Sequence, residues 1–231
     1  MNHFVTSALA VFVATLGAGL YFISKGTGRT ERFFGLFWLG VSFWAFFVGK
    51  QFELLSWMSG FLWGWFLHLG CIFVPVLFLH FTLYLTELRK RFSWWLKLAY
   101  RGGLGFVLLN TFTDLFTGET IYRDSYAYPK PEVLYPLYIV FFQLIGAGTL
   151  VLLFRWGKKL PKEAKRMFYL FLVVHVLAYI GSMDNYLIMY DLRIFLLYPY
   201  GLYLILPYVV FGSFAVSKIQ GIGVSKSQSC V

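Results

Sequence analysis

Seven stretches of apolar residues, each close to the length of a bilayer crossing, divide the chain at 4–24, 33–55, 64–86, 94–116, 134–155, 166–190 and 193–217. A helix that spans the hydrocarbon core needs about 20 predominantly apolar residues. In lipid its backbone polar groups must be bonded within the segment. The pattern predicts an all-α polytopic membrane protein, a seven-transmembrane helix bundle over 1–217, with 218–231 as a short cytoplasmic tail. The break from Ser56 to Trp63 carries no charge and the one around Asp191 is very short. Joining helices across either would give a run too long for one crossing, so each is read as a tight hairpin.

Charge gives the bundle a direction. Sixteen of the 20 Lys and Arg fall on one side: Lys25, Arg29 and Arg32 in the first loop; Arg89, Lys90, Arg91, Lys97 and Arg101 at the third; Arg155, Lys158, Lys159, Lys162, Lys165 and Arg166 at the fifth; Lys218 and Lys226 in the tail. Basic residues in short loops mark the cytoplasmic side, which sets the N-terminus outside and the C-terminus inside. Trp94 and Trp95 at the inner boundary, and Trp57, Trp63 and Trp65 at the outer one, fit interfacial aromatic belts. The longest polar connection, Thr117 to Val133, reads as an outer cap that is either a functional lid or a plain connector.

Composition agrees with this picture and closes off others. The 231 residues are 59% hydrophobic and only 13% charged, against about a quarter charged in soluble domains. No length remains for a separate soluble domain, so the net charge of +10 reflects topology and anionic lipid rather than a nucleic-acid partner. Cys71 and Cys230 match no metal spacing and are read as free thiols. The first segment lacks a basic start and is too long for a signal peptide, so it is expected to remain as a helix.

Ionisable and polar groups at membrane depth are costly and are functional candidates by default. Lys50, Gln51 and Glu53 lie near the outer end of the second helix, His68 on the third, Asn110 and Asp114 one turn apart on the fourth, and Asp184 and Asn185 at the close of the sixth. These groups from four helices reach one level, the outer third of the bilayer, and form a candidate ligand pocket. Singly, each also has a structural reading, as a snorkelling ion pair for Lys50 and Glu53 or as an interhelical hydrogen bond for the others. Pro75 is expected to kink the third helix.

His80 and His175 fall at similar depth nearer the cytoplasmic end and are candidate haem ligands. Nothing else in the sequence points to haem, and a histidine bonded within the bundle is the simpler reading; Tyr179 and Ser182 share the face of His175 as local partners. Gly102, Gly103, Gly105, Gly146 and Gly148 are read as close-packing positions. The last helix holds no lysine for a retinal Schiff base, and the zinc-protease, serine-elbow and phosphate-loop motifs are missing, so no cofactor and no enzymatic activity is expected.

Ser42-Phe43-Trp44-Ala45, the run Phe73-Val74-Pro75-Val76-Leu77-Phe78-Leu79-His80-Phe81, Tyr198-Pro199-Tyr200-Gly201, and the exit Phe214-Ala215-Val216-Ser217-Lys218 carry a resemblance. In these motifs, and in helix count and orientation, the chain resembles the N-terminal seven-transmembrane sensor region of bacterial histidine kinases. The resemblance implies a non-enzymatic sensor in the bacterial cytoplasmic (inner) membrane, whose last helix passes an extracellular or membrane-borne signal to an output. It also implies a homodimer, since the family's outputs are usually dimeric. The 13 residues after Lys218 hold neither a phosphoacceptor helix nor an ATP-binding fold. A separate protein partner would supply the output; the alternative is an accessory subunit of a larger membrane complex, and a transporter or pigment-binding protein is the remaining option.

Overall fold

The computed structural model describes residues 3–50, 60–123, 126–192 and 200–228; within these, the side chains at 3–4, 49–50, 60–63, 122–123, 126–127, 184–185, 188 and 222–228 fall outside the description. The first two helices, α1 (His3–Lys25) and α2 (Arg29–Lys50), form an antiparallel hairpin. Its turn is fixed by Glu31, whose carboxylate accepts hydrogen bonds from the Gly28 N–H at 2.8 Å and the Thr27 hydroxyl at 3.2 Å. Glycines let the two backbones meet. A Cβ added to Gly19 would lie 3.1 Å from the Gly35 carbonyl oxygen, and one added to Gly35 would lie 2.9 Å from that of Gly19. Without a hydrophobic force between helices in lipid, such close packing is what holds them together.

Helix α3 (Gly60–Leu85) lies against α2, and a Cβ at Gly70 would stand 2.9 Å from the Trp44 backbone nitrogen. Pro75 lies inside α3, which is assigned as one continuous helix. Helix α4 (Ser93–Phe112) then runs antiparallel to α3 along almost its whole length. The Tyr100 hydroxyl meets His80 Nδ1 at 2.8 Å, Gly103 faces Phe73 and Ile72, and the Trp65 indole donates to the Thr111 hydroxyl at 2.7 Å. The helix stops at Phe112, where Thr113 turns extended, four residues short of the expected end at 116.

The connection read as an outer cap is a β-hairpin, β1 (Thr117–Arg123) with β2 (Tyr126–Pro131), pairing Ile121 with Tyr128 and Tyr122 with Ala127. β-branched and aromatic residues suit a half-buried strand, and a two-stranded edge tolerates the prolines at 129 and 131. The hairpin sits over the start of α3, with Pro129 against Gly64. The chain continues as α5 (Tyr135–Gly157) and α6 (Lys162–Met189), after which Asp191 adopts a left-handed φ of 59°.

The last helical run begins at Gly201 among the described residues and changes its winding three times. A 3₁₀ turn (Gly201–Leu204) leads into a short α segment (Ile205–Pro207), a π segment (Tyr208–Gly212) and a final α stretch (Ser213–Gln228). It passes the boundary expected at 217, so the helix continues through residues 218–228 of the segment read as the tail.

Six of the described helices are long and apolar enough to cross a membrane, which marks a multi-pass membrane protein: Val5–Lys25, Arg29–Val48, Gly64–Leu85, Tyr135–Gly157, Lys162–Met183 and Gly201–Gly221. Helix α4 misses that standard because Lys97 and Arg101 stand in its first half. The core is aromatic. Phe34, Trp38, Phe81 and Phe171 are fully buried and meet in tilted and edge-on contacts, the arrangements that ring quadrupoles favour. Exposed large residues on α4 and α5 are mainly aliphatic, such as Leu104, Leu108, Leu137, Val140 and Leu144. Of the five glycines read as packing positions, Gly102, Gly103, Gly146 and Gly148 abut Phe141, Phe73, Tyr179 and Trp95, whereas Gly105 faces open space.

Candidate ligand-binding site

A cavity of about 100 Å³ lies within the bundle. It is walled by α2 (Phe37, Trp38, Val41, Trp44, Val48), α3 (Leu67, His68, Cys71, Val74), α5 (Tyr135, Phe142), α6 (His175, Ala178, Tyr179, Ser182, Tyr186, Met189) and the last helix (Ile205, Tyr208), with Tyr128 from β2. The spacing His175, Ala178, Tyr179, Ser182, Tyr186, Met189 follows the helical repeat and presents one stripe of α6 to the cavity. Among the described lining residues there is no Lys, Arg, Asp or Glu.

Toward the hairpin end, His68, Tyr135, Tyr138 and Tyr186 are tied by hydrogen bonds. His68 is buried, and its Nδ1–H donates to the Gly64 carbonyl at 2.7 Å. That bond makes Nε2 an acceptor, which the Tyr135 hydroxyl reaches at 3.1 Å. Met189 Sδ, 3.3 Å from the same hydroxyl, is the weaker competitor for its single proton. The hydroxyls of Tyr138 and Tyr186 share a hydrogen bond of 3.1 Å. Farther along the wall, the Tyr179 hydroxyl donates to Gln143 Oε1, and Ser182 donates to the Tyr179 carbonyl at 2.8 Å.

Around Tyr208 the arrangement is different. Trp38 Nε1, His175 Nδ1 and the Tyr208 hydroxyl oxygen are buried and have no hydrogen-bond partner among the described residues. The three side chains are neighbours: the Trp38 and Tyr208 ring centroids are 4.8 Å apart, and those of Tyr208 and His175 are 5.0 Å apart. His175 also stacks on Phe78 at 4.1 Å. A buried polar group without a partner costs about 1–3 kcal/mol, so three in contact call for an explanation. Tyr208 opens the π segment that follows Pro207, and Gly212 leaves room for its ring: an added Cβ there would lie 2.5 Å from Tyr208 Cδ2. π segments inside helices occur frequently at functional sites.

Of the sequence-predicted pocket residues, His68 alone lines this cavity among those whose side chains are described. Asn110 is buried but serves as a tie, donating to the Trp65 carbonyl at 3.4 Å and accepting from the Thr117 hydroxyl at 2.8 Å. Asp114 is corrected outright: the helix has already ended, the shared face with Asn110 is lost, and the carboxylate is exposed. Gln51 and Glu53, and the side chains of Lys50, Asp184 and Asn185, lie outside the described residues.

The two haem candidates do not face a common gap. His80 stacks between Phe33 and Tyr84 and bonds Tyr100, whereas His175 packs on Phe78, Phe171 and Tyr208. No cluster of three or more potential metal ligands occurs among the described residues. Of the local partners expected for His175, Tyr179 meets its ring at 6.4 Å while giving its hydroxyl to Gln143, and Ser182 donates to a backbone carbonyl. Sequence reasoning missed Trp38 and Tyr208 because an aromatic residue in an apolar run carries no sign of an unpaired polar tip. The available signal was Pro207, which forces an irregularity into a helix. No protein-family model matches the chain, and no curated protein matches it.

Proposed function

We propose that this chain is a non-enzymatic membrane sensor module in which a ligand in the central cavity shifts the packing of the last helix. The observation that carries the reading is the position of Tyr208. It lines the cavity, lies on the π segment of the last helix and touches both α2 and α6. Filling the cavity bears on the helix that runs on to Gln228. A ligand changes that packing only by binding one arrangement more tightly than another.

The sensor is a seven-crossing protein of the bacterial inner membrane, with its N-terminus outside and its C-terminus in the cytoplasm. Support comes from α4, which accompanies α3 from Tyr100 beside His80 to Thr111 beside Trp65. A bilayer crossed by one is crossed by the other, with the exposed Lys97 and Arg101 snorkelling at the inner boundary. Basic loops at both ends of that side agree. Reporter fusions at the two termini test this topology: opposite sides are expected, and termini on the same side reject it.

The sensor reading itself is tested by purification in mild detergent with mass spectrometry of co-purifying small molecules. Distances between spin labels on the inner ends of α6 and the last helix are then compared with and without the ligand found. A shift in the distance distribution is expected, and identical distributions overturn the reading. The exposed aliphatic face of α4 and α5 favours a second reading, an accessory subunit that covers this face with a larger complex. Stoichiometric co-purification of a membrane partner, lost on substituting that face, is its test.

A further inference from the structure

The chemistry of the ligand follows from three properties of the cavity wall. The first is size. A cavity of roughly 150 Å³ in another protein takes benzene, and the volume of about 100 Å³ here admits a molecule with one ring. The second is charge. With no Lys, Arg, Asp or Glu among the described lining residues, an ionised ligand would be buried without a counter-charge, at high cost. The third is the group around Tyr208. Trp38 Nε1–H is a donor only, so whatever meets it must accept, while the Tyr208 hydroxyl and the His175 Nδ1 can each give or take a proton.

We propose that the cavity binds a small neutral aromatic molecule of the phenol class, its ring among the aromatic side chains and its oxygen among Trp38, His175 and Tyr208. A phenolic oxygen accepts from the indole N–H and from the Tyr208 hydroxyl and donates its own proton to the unprotonated imidazole nitrogen, which satisfies groups that otherwise remain unpaired. The three heteroatoms are covered by neighbouring rings, so the ligand reaches them by turning side chains. Tyr208 lies on the π segment with its ring packed against Gly212, where any larger residue would displace it. The proposal rests on the reading of this cavity as the ligand site of the sensor and adds what that ligand is.

The test uses the full chain in lipid nanodiscs, titrated with phenol, with benzene as the ring lacking oxygen and benzoate as the charged analogue. Binding is followed by saturation-transfer NMR and by calorimetry. Phenol is expected to bind about 10-fold more tightly than benzene, the worth of one or two neutral hydrogen bonds, and benzoate is expected not to compete. Tyr208→Phe and Trp38→Phe are each expected to reduce the phenol-over-benzene ratio, measured within the same variant, to about twofold or less.

Equal affinity for phenol and benzene in the unmodified chain overturns the proposal, and so does a preference that survives both substitutions. Competition by benzoate, or no binding of either neutral ring, overturns it as well. The unmodified chain decides these points even if a variant fails to fold. A co-purifying lipid or charged compound that moves the last helix from within this cavity defeats the phenol proposal and leaves the sensor reading standing. Phenol binding with the expected preference but with spin-label distances unchanged defeats the sensor reading instead.

Discussion

At the end of the cavity nearest the hairpin, His68, Tyr135 and Tyr186, with Tyr138 behind them, bond to one another and to backbone, whereas around Tyr208 the polar atoms of Trp38, His175 and Tyr208 have no partner among the described residues. Both ends are built from aromatic and histidine side chains on α2, α3, α5, α6 and the last helix. Residue type therefore does not separate structure from site. Satisfaction does: a bonded group acts as interhelical glue, and an unpaired one is a cost that some occupant offsets. Stability measurements can separate the two ends because deletion of a bonded group orphans its partner while deletion of an unpaired group orphans nothing.

The largest effect is expected where the frame common to both ends is forced apart. A side chain at Gly181 would drive its Cβ into the Gly201 carbonyl, a backbone group that cannot swing away. Gly181→Val is expected to cost about 3 kcal/mol, the upper range for overpacking, seen as a lowered thermal midpoint and aggregation on size-exclusion chromatography in detergent. A wild-type midpoint would mean that α6 and the last helix do not cross this closely, and the cavity would lose one wall.

Breaking the bonded end comes next. His68→Leu keeps the volume but leaves the Tyr135 hydroxyl with only the Met189 sulfur. A loss of about 2 kcal/mol is expected from the lost bonds and the poorly paired hydroxyl. Tyr138→Phe removes one hydroxyl from its bond with Tyr186, and interhelical hydrogen bonds in membranes are worth about 0.6 to 2 kcal/mol. Its expected cost is about 1 kcal/mol. Chemical denaturation of both variants in one detergent would check the order, and a Tyr138→Phe loss exceeding that of His68→Leu would reverse the assignment of His68 as the main tie.

The helices are more legible in the sequence than the site is. Apolar runs announced the helices, because a length near 20 apolar residues is dictated by lipid alone. All seven expected runs coincide with helix in the described residues, six of them apolar enough to cross. Their ends were less readable. Leu115 and Phe116 continue the apolar pattern of α4, yet Thr113 leaves the helix and Phe116 is buried against His68, Tyr135 and Tyr138, tertiary contacts with no local signature. The candidate site suffered from a related bias. Charge at membrane depth drew attention to Asp114, which is exposed, while the unpaired tips of Trp38 and Tyr208 lay in apolar runs. His68 and His175 were singled out and do line the cavity. Which of them has a partner depends on Tyr135 and Tyr208, distant residues that only folding brings close.

The smallest stability effect carries the sharpest contrast. Tyr208→Phe removes a hydroxyl of the same kind as Tyr138→Phe, from a side chain equally buried, on a helix in the same bundle. If the Tyr208 oxygen has no partner, its loss removes a desolvation cost and orphans nothing, so the change is expected within about 0.5 kcal/mol of neutral or slightly stabilising. Denaturation of the two single variants and the double variant, measured side by side, gives the difference directly. Equal losses for both tyrosines would show that Tyr208 is bonded in the protein as it exists in the membrane, by ordered water or by a residue outside those described. The two ends of the cavity would then be alike, and the unpaired group around Tyr208 would cease to mark a binding site.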